Sequence, residues 1–180
     1  MYVKGLHHVA YRCRDAQETV DFYTNVLGMK YSMAVSENQV PSTKESFAYM
    51  HLFFEMGQEG SYLAFFELPD EPEMGVDPNT PDWGQHLAFR VLDIEALREA
   101  EKDLRAKGLD VLGPVDHGFC ESIYFHDPNG HRLEFAANKL TFNMIAKLHD
   151  AAQPMLDEWN KTKKSVRHSA WVHEAELSKD

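Results

Sequence analysis

The sequence predicts an α+β fold made of two tandem βαβββ modules followed by a C-terminal helix. One pattern of short strands and a single helix occurs twice, and a segment rich in proline, aspartate and glutamate separates the two copies. A helical pattern without a counterpart follows the second copy. We therefore expect modules at residues 1–68 and 84–138, a linker at 69–83 and a helical extension at 139–180.

The first module begins with an alternating segment, residues 5–12, that predicts a strand. Asp15 is placed to cap the following helix, Glu18 stands three residues later in capping-box spacing, and Gly28 marks the helix end. The polar residues 36–44 predict a loop. The remaining strands of the module are predicted at residues 30–35, 46–55 and 61–68.

The second module repeats this order after the linker. Residues 84–91 predict a strand, and Asp93 is placed to cap a helix at residues 94–107 that ends at Gly108. A short strand at residues 110–113 and a hairpin complete the module.

The hairpin contains a polar pair. Its strands, ESIYF and HRLEF, are joined by the turn sequence DPNG. If Phe125 pairs with Leu133, then Tyr124 and Glu134 lie opposite each other on one face. A carboxylate on an inner face is rarely buried without a partner, and a metal ion is one such partner. On this segment alone, an edge hairpin with both side chains in water is the simpler interpretation.

The two modules form an internal repeat, which changes that interpretation. The strand start HVAYR aligns with HLAFR, and the hairpin segment MGQEGSYLAF aligns with HDPNGHRLEF. In this gapless overlay Phe54 falls on Tyr124, and Ala64 falls on Glu134. We expect Phe54 to face Ala64 in the first hairpin.

Three residues placed by the repeat are candidate metal ligands. His8 and His86 open equivalent strands, and Glu134 lies on the last strand of the second module. Two imidazoles and one carboxylate leave coordination positions open and suit Fe(II) and other divalent ions. A single histidine on a strand is more often structural, whereas three residues placed by one repeat favour a metal site.

The repeat, the HVAY and HLAF strand starts and the DPNGHRLE ending resemble the vicinal oxygen chelate superfamily. That superfamily includes glyoxalase I, bleomycin- and fosfomycin-resistance proteins, methylmalonyl-CoA epimerase and type I extradiol ring-cleavage dioxygenases. The resemblance covers residues 5 to about 137 and implies that the modules form an incomplete barrel around a metal site. The segment from Val115 to Glu134, VDHGFCESIYFHDPNGHRLE, is similar at every position to the signature of the extradiol dioxygenases.

By this resemblance, His8, His86 and Glu134 would bind the metal, with Fe(II) expected and Mn, Ni, Co or Zn as alternatives. His117 would lie near the substrate and donate or accept a proton, and Tyr124 would orient the reacting groups through a hydrogen bond. The implied activity is cleavage of a catechol-like aromatic vicinal diol with O2.

Several features keep alternatives open. The linker at residues 69–83 lacks the further histidine of many two-domain extradiol enzymes, and a single pair of modules resembles the small forms, which are often homodimers. Ala64 cannot bind a metal, whereas glyoxalase I and the epimerase take a fourth ligand from that strand. The alternatives are a metal-dependent lyase, isomerase or transferase of the glyoxalase or fosfomycin-resistance type, and a binding protein without catalytic activity.

Other histidines are interpreted as structural. His7 is expected to face away from His8, and His51, on the face opposite Phe54, is expected to pack rather than bind a metal. His126 and His131 flank the turn and are expected at the surface.

Composition limits the partners and the compartment. A net charge of −11 argues against general nucleic-acid binding and against docking on an anionic membrane. Two cysteines, Cys13 and Cys120, form no disulfide framework, so a reducing cytoplasm is expected. Residues 140–158 predict a helix that packs on the body or on a partner subunit, and the last dozen residues are expected to be loosely ordered.

Overall fold

The computed structural model describes residues 2–57 and 60–173. The chain divides into two compact units, one formed by residues 1–86 with 126–132 and the other by residues 87–125 with 133–180. Each unit is built on a four-stranded mixed sheet with a helix, which confirms the α+β class and the two tandem modules. The predicted module boundaries and the closure into an incomplete barrel stay predictions.

The sheet of the first unit has the strand order β1-β4-β3-β2. Strand β1 runs parallel to β4, and the other neighbours are antiparallel. The strands are β1 (His8–Cys13), β2 (Tyr31–Gln39), β3 (Ser46–Glu55) and β4 (Tyr62–Glu67). The predicted loop at residues 36–44 is wrong in its first part, because β2 continues to Gln39, which pairs with Ser46 of β3.

The helix of the first unit, α1 (Ala16–Asp21), continues into a π-helical turn at Phe22–Val26. The Asp15 carboxylate accepts a hydrogen bond from the Glu18 amide at 2.7 Å, so the predicted N-cap is confirmed. Gly28 adopts a left-handed φ of 70° just after the helical segment, as expected for a glycine that ends a helix.

The sheet of the second unit has the order β5-β8-β7-β6. Its strands are β5 (Leu87–Arg90), β6 (Leu112–Asp116), β7 (Cys120–His126) and β8 (Arg132–Asn138). Asp93 caps α2 (Ile94–Ala106) by accepting from the Ala96 amide at 2.9 Å. The strand predicted at residues 110–113 lies further along the chain, because its ladder to β7 extends to Asp116.

The DPNG turn between β7 and β8 belongs to the first compact unit, and its polar residues Asp127 and Asn129 are buried. The Tyr23 hydroxyl donates to an Asp127 carboxylate oxygen at 3.0 Å, and the Asn129 side-chain amide donates to the Thr19 hydroxyl at 3.2 Å. His131 is half-buried and bonds the Arg12 carbonyl through Nε2 at 2.7 Å, so its expected surface position is wrong. The turn is therefore a packing element as well as a connection.

The C-terminal extension forms one long helix, α3 (Phe142–Thr162), which includes Pro154. None of the residues in this helix is buried, and Phe142 is 95% exposed and Trp159 46% exposed, so close packing on the body is not observed along it. A short 3-10 turn follows at Ala170–His173, where loose order was expected, and residues 174–180 lie outside the described part. Across the described residues, no helix is both long and apolar enough to cross a membrane.

Candidate functional site

The register of the first sheet shows which residues lie opposite each other in the first hairpin. Ala64 pairs with Ala10 of β1 and with Phe53 of β3, whereas Phe54 pairs with Leu63 and is fully buried. The expectation that Phe54 faces Ala64 is therefore wrong by one residue. The first hairpin closes with a bond from the Met56 amide to the Ser61 carbonyl, which encloses one residue more than the turn of the second hairpin.

The second hairpin has the expected register. The Asp127 amide donates to the His131 carbonyl at 3.0 Å, and counting back from this pair places Tyr124 opposite Glu134. Glu134 is only 5% exposed and pairs with Ala88 of β5, as Ala64 pairs with Ala10 in the first sheet. The equivalent positions of the two sheets are therefore Phe53 with Ala64 and Tyr124 with Glu134.

Tyr124 interacts directly with Glu134. Burial, followed by the negative charge of Glu134 and a hydrogen bond to it, raises the pKa of the Tyr124 hydroxyl above its ordinary value. A tyrosine with a raised pKa stays protonated at neutral pH and serves as a hydrogen-bond donor. The predicted pairing of these side chains on one face is confirmed.

His117 lies in the loop between β6 and β7, and its Nε2 is 2.7 Å from the Tyr124 hydroxyl oxygen. The hydroxyl also interacts with Ser122, and one arrangement satisfies all three contacts: His117 Nε2–H and the Ser122 hydroxyl donate to the oxygen, and the hydroxyl donates to the Glu134 carboxylate. His117, Tyr124 and Glu134 thus form a connected chain of polar contacts within the second unit.

Contacts of Asp116 and Lys139 hold the loop that carries His117. The Asp116 carboxylate accepts from the Gly118 amide at 2.8 Å and from Lys139 Nζ at 2.6 Å. The Lys139 amide in turn donates to the Phe119 carbonyl at 2.8 Å. The end of β8 therefore fixes the loop that presents His117.

Cys120 begins β7, with its thiol 3.6 Å from the Ser122 hydroxyl. Burial, and more weakly the charge of Glu134, raises the pKa of the Cys120 thiol. The thiol therefore stays protonated at neutral pH, which argues against a role as a nucleophile.

His8 is exposed at the first position of β1. Its Nδ1 lies 2.8 Å from Nδ1 of His7, so the expectation that His7 faces away is wrong, because His7 precedes the strand and does not follow its alternation. The His8 ring also lies 6.0 Å from the Phe53 ring, centroid to centroid. His86 directly precedes β5, and its Nδ1 is 3.3 Å from the Trp83 carbonyl.

His51 is a further polar residue on the face of the first sheet that carries His8. It lies on the face opposite Phe54, as expected. Because Phe54 points into the core, His51 lies on the other face of the sheet, together with His8 and Phe53. Its ring stacks on Phe66 at 3.6 Å, and its Nε2 is buried without a hydrogen-bond partner among the described residues. Burial, and secondarily the charge of protonated His8, lowers the pKa of His51 to about 4.

The donor types of the three predicted ligands fit a divalent metal, because two imidazoles and a carboxylate are a set that such ions accept. His8 and His86 belong to the first compact unit, and Glu134 belongs to the second. Within residues 2–57 and 60–173, no three His, Cys, Asp or Glu side chains form a group that could hold a metal ion. The assembly of these three ligands stays a prediction.

Known proteins resemble the chain in sequence. A lactoylglutathione lyase of Haemophilus influenzae is 34% identical over 74% of this chain and 93% of its own length. The Bacillus subtilis protein named "Putative ring-cleaving dioxygenase MhqA" is 30% identical over 77% of this chain. The chain covers only 42% of the length of MhqA.

Solved structures share the fold. A glyoxalase family protein from Enterococcus faecalis has a TM-score of 0.55 and 27% identity, covering 76% of this chain and 99% of that protein. The fosfomycin resistance protein FosX of Listeria monocytogenes, in a complex with Mn(II), has a TM-score of 0.54 and 20% identity over 81% of this chain and 99% of its own.

A family model matches most of the chain. The Glyoxalase/Bleomycin resistance protein/Dioxygenase superfamily matches residues 5–135. This match covers both sheets up to the middle of β8 and stops before α3. The chain therefore belongs to the glyoxalase/bleomycin resistance protein/dioxygenase superfamily.

Proposed function

We propose that the protein is a metal-dependent dioxygenase that cleaves a catechol-like aromatic vicinal diol with O2. His8, His86 and Glu134 would hold the metal, and Fe(II) is the ion that the signature of the second hairpin favours. A divalent ion at these ligands supplies Lewis acidity, which lowers the pKa of a catechol hydroxyl. In the balanced reaction, one O2 adds to one catechol, and both oxygen atoms enter the ring-opened product.

The observation that carries the proposal is the connected chain of His117, Tyr124 and Glu134. The equivalent positions of the first sheet hold Phe53 and Ala64, so the polar groups occur on one copy of the duplicated hairpin. A half-buried tyrosine that contacts both a buried carboxylate and a histidine is typical of a catalytic site.

His117 and Tyr124 have different roles in the proposed reaction. The His117 imidazole accepts a proton from a substrate hydroxyl and returns it to the product, as a positioned general base does. Tyr124 keeps its own proton and serves as a fixed hydrogen-bond donor, since its pKa is raised. Its contact with His117 orients the imidazole toward the reacting atoms.

Ala64 favours ring cleavage over the lyase reaction of the lactoylglutathione lyases. Those relatives share as much identity with the chain as MhqA does, so identity alone does not decide. The Ala64 methyl group is fully buried between Ala10 and Phe53 and offers no ligand atom. The second candidate is a metal-dependent lyase, isomerase or transferase with three protein ligands, and the third is a small-molecule binding protein.

We further propose a small aromatic substrate, a homodimeric protein and a reducing cytoplasmic location. Cys13 and Cys120 are both free thiols, which supports a reducing compartment. The exposed apolar side chains of α3, among them Phe142 and Trp159, are compatible with a contact between subunits.

An oxygen-uptake assay tests the proposal. Protein purified without oxygen and loaded with Fe(II) should consume O2 and form a yellow product with at least one member of a catechol panel. Glu134→Ala, which copies the first-sheet residue, should lower the rate by about 100-fold or more, since it removes a ligand. Glu99→Ala, an exposed carboxylate on α2, is the matched control and should keep the wild-type rate.

The same preparations test the second candidate. Protein loaded with Ni or Co is assayed under nitrogen with the hemithioacetal of methylglyoxal and glutathione. Turnover there, combined with no O2 uptake on any catechol by iron-loaded protein, would favour the lyase and contradict ring cleavage.

A further inference from the structure

The chain beyond α3 folds back along that helix. Lys163 ends the helix in the left-handed conformation, with a φ of 52°. Further along, His168 contacts Glu158 at 2.8 Å, and the Ser169 hydroxyl donates to Met155 Sδ at 3.4 Å. The segment after the helix therefore runs antiparallel to α3, and its later residues contact earlier residues of the helix. We call residues 164–173 the C-terminal strap.

The far end of the strap is held by an aromatic side chain. Lys147 Nζ lies 5.4 Å from the centre of the Trp171 ring, in cation–π geometry. Trp171 and Val172 are both half-buried although α3 itself buries no residue. The end of the strap is therefore held in place by contacts of its own, in addition to those of His168 and Ser169.

That end rests on the loop of His117. A β-carbon placed on Gly118 would lie 2.1 Å from the Val172 carbonyl oxygen and 2.6 Å from Val172 Cγ1. Gly118 also has a left-handed φ of 77°. Only a glycine allows the strap to approach this closely, and Gly118 is the residue next to His117.

We propose that the C-terminal strap holds His117 against Tyr124, with Val172 as a positioning residue. The strap is a second support for the loop, in addition to the Asp116–Lys139 ion pair at the end of β8. The match to the superfamily ends at residue 135, so this support comes from a part of the chain that lies outside that match. The catalytic consequence rests on the proposed function, whereas the position of His117 can be measured without it.

Hydrogen exchange and NMR test the positioning directly. In Val172→Gly, the amides of residues 117–120 should exchange about tenfold faster, and the His117 ring-nitrogen signals should shift as the contact with Tyr124 weakens. Val172→Ile keeps Cγ1 and should retain the wild-type signals. Leu92→Ala, a truncation at a residue that is 90% exposed, is the matched control.

Lys147→Met tests the strap through a different contact if Val172→Gly folds poorly. It should change the same signals in the same direction. Unchanged exchange and unchanged His117 signals in both variants would overturn the proposal, as would equal changes in Leu92→Ala.

Kinetics then separate positioning from the proposed function. If the wild type cleaves catechols, Val172→Gly should lower kcat about tenfold with little change in KM, because a misplaced proton acceptor slows chemistry more than binding. An unchanged kcat despite altered His117 signals would overturn the catalytic role. Absence of any catechol turnover in the wild type would contradict the proposed function, while exchange and NMR still decide whether the strap holds His117.

Discussion

Tyr124 joins His117 to Glu134 through one hydroxyl group. Its oxygen lies 2.7 Å from His117 Nε2, and the interaction with Glu134 helps to raise its pKa. Because a hydroxyl has one hydrogen and two lone pairs, it can accept from the imidazole while it donates to the carboxylate. The orientation of His117, a loop residue, therefore depends on Tyr124 of strand β7.

Replacing Tyr124 with Phe should remove this connection while keeping the ring. We expect kcat for catechol cleavage to fall roughly 100-fold, since His117 loses the hydroxyl group that orients it. KM should change much less. The check is steady-state O2 uptake by iron-loaded protein. Tyr2→Phe removes a fully exposed hydroxyl and serves as the control. A kcat equal to that of the wild type would show that Tyr124 has no part in the reaction.

His51 should make the stability of the metal-free protein depend on pH. Its pKa in the folded state, about 4, lies below the ordinary value of 6.5, so the folded state resists protonation. The contribution of neutral His51 to the free energy of unfolding is present above pH 6.5 and is lost as the pH falls toward 4. Carboxyl groups with lowered pKa, such as Asp116, lose their contribution only at lower pH.

The measurement is urea denaturation of chelator-treated protein at several pH values between about 4 and 7. The wild type should lose stability across this range. His51→Phe keeps the stack on Phe66 and should show a smaller loss. Equal pH dependence in the two proteins would contradict the assigned burial of His51.

The buried Asp127 of the DPNG turn should contribute measurably to stability. Tyr23→Phe removes the hydroxyl that donates to Asp127 at 3.0 Å and leaves a buried acceptor with one partner fewer. We expect a loss of about 1–3 kcal/mol in the free energy of unfolding. Urea denaturation at neutral pH measures it, with Tyr2→Phe as the exposed control. A change no larger than that of the control would mean that the bond contributes nothing.

Much of the fold follows from local sequence signals. Asp15 and Asp93 cap the predicted helices because a carboxylate before a helical pattern satisfies free amides of the first turn. The second hairpin has the expected register because its short DPNG turn permits one close pairing. The first hairpin differs because its longer turn shifts Ala64 onto Phe53, and a gapless overlay cannot detect this shift.

Other features depend on contacts between distant parts of the chain. His51 is expected to pack, and its ring does stack on Phe66, but its place on the face that carries His8 follows from the burial of Phe54, which only the structure shows. The contact of Val172 with Gly118 joins residues more than fifty positions apart, and no local pattern predicts it. The ligand set of His8, His86 and Glu134 rests on the repeat and on the family resemblance, so it needs its own test.

The fate of molecular oxygen tests the central claim most directly. Iron-loaded protein is supplied with a catechol that it consumes and with O2 labelled with oxygen-18, and the product is analysed by mass spectrometry. Ring cleavage predicts that both labelled atoms appear in one product molecule, and that Glu134→Ala forms little of it while Glu99→Ala forms the normal amount. A product without label, or equal conversion under nitrogen, would contradict the account.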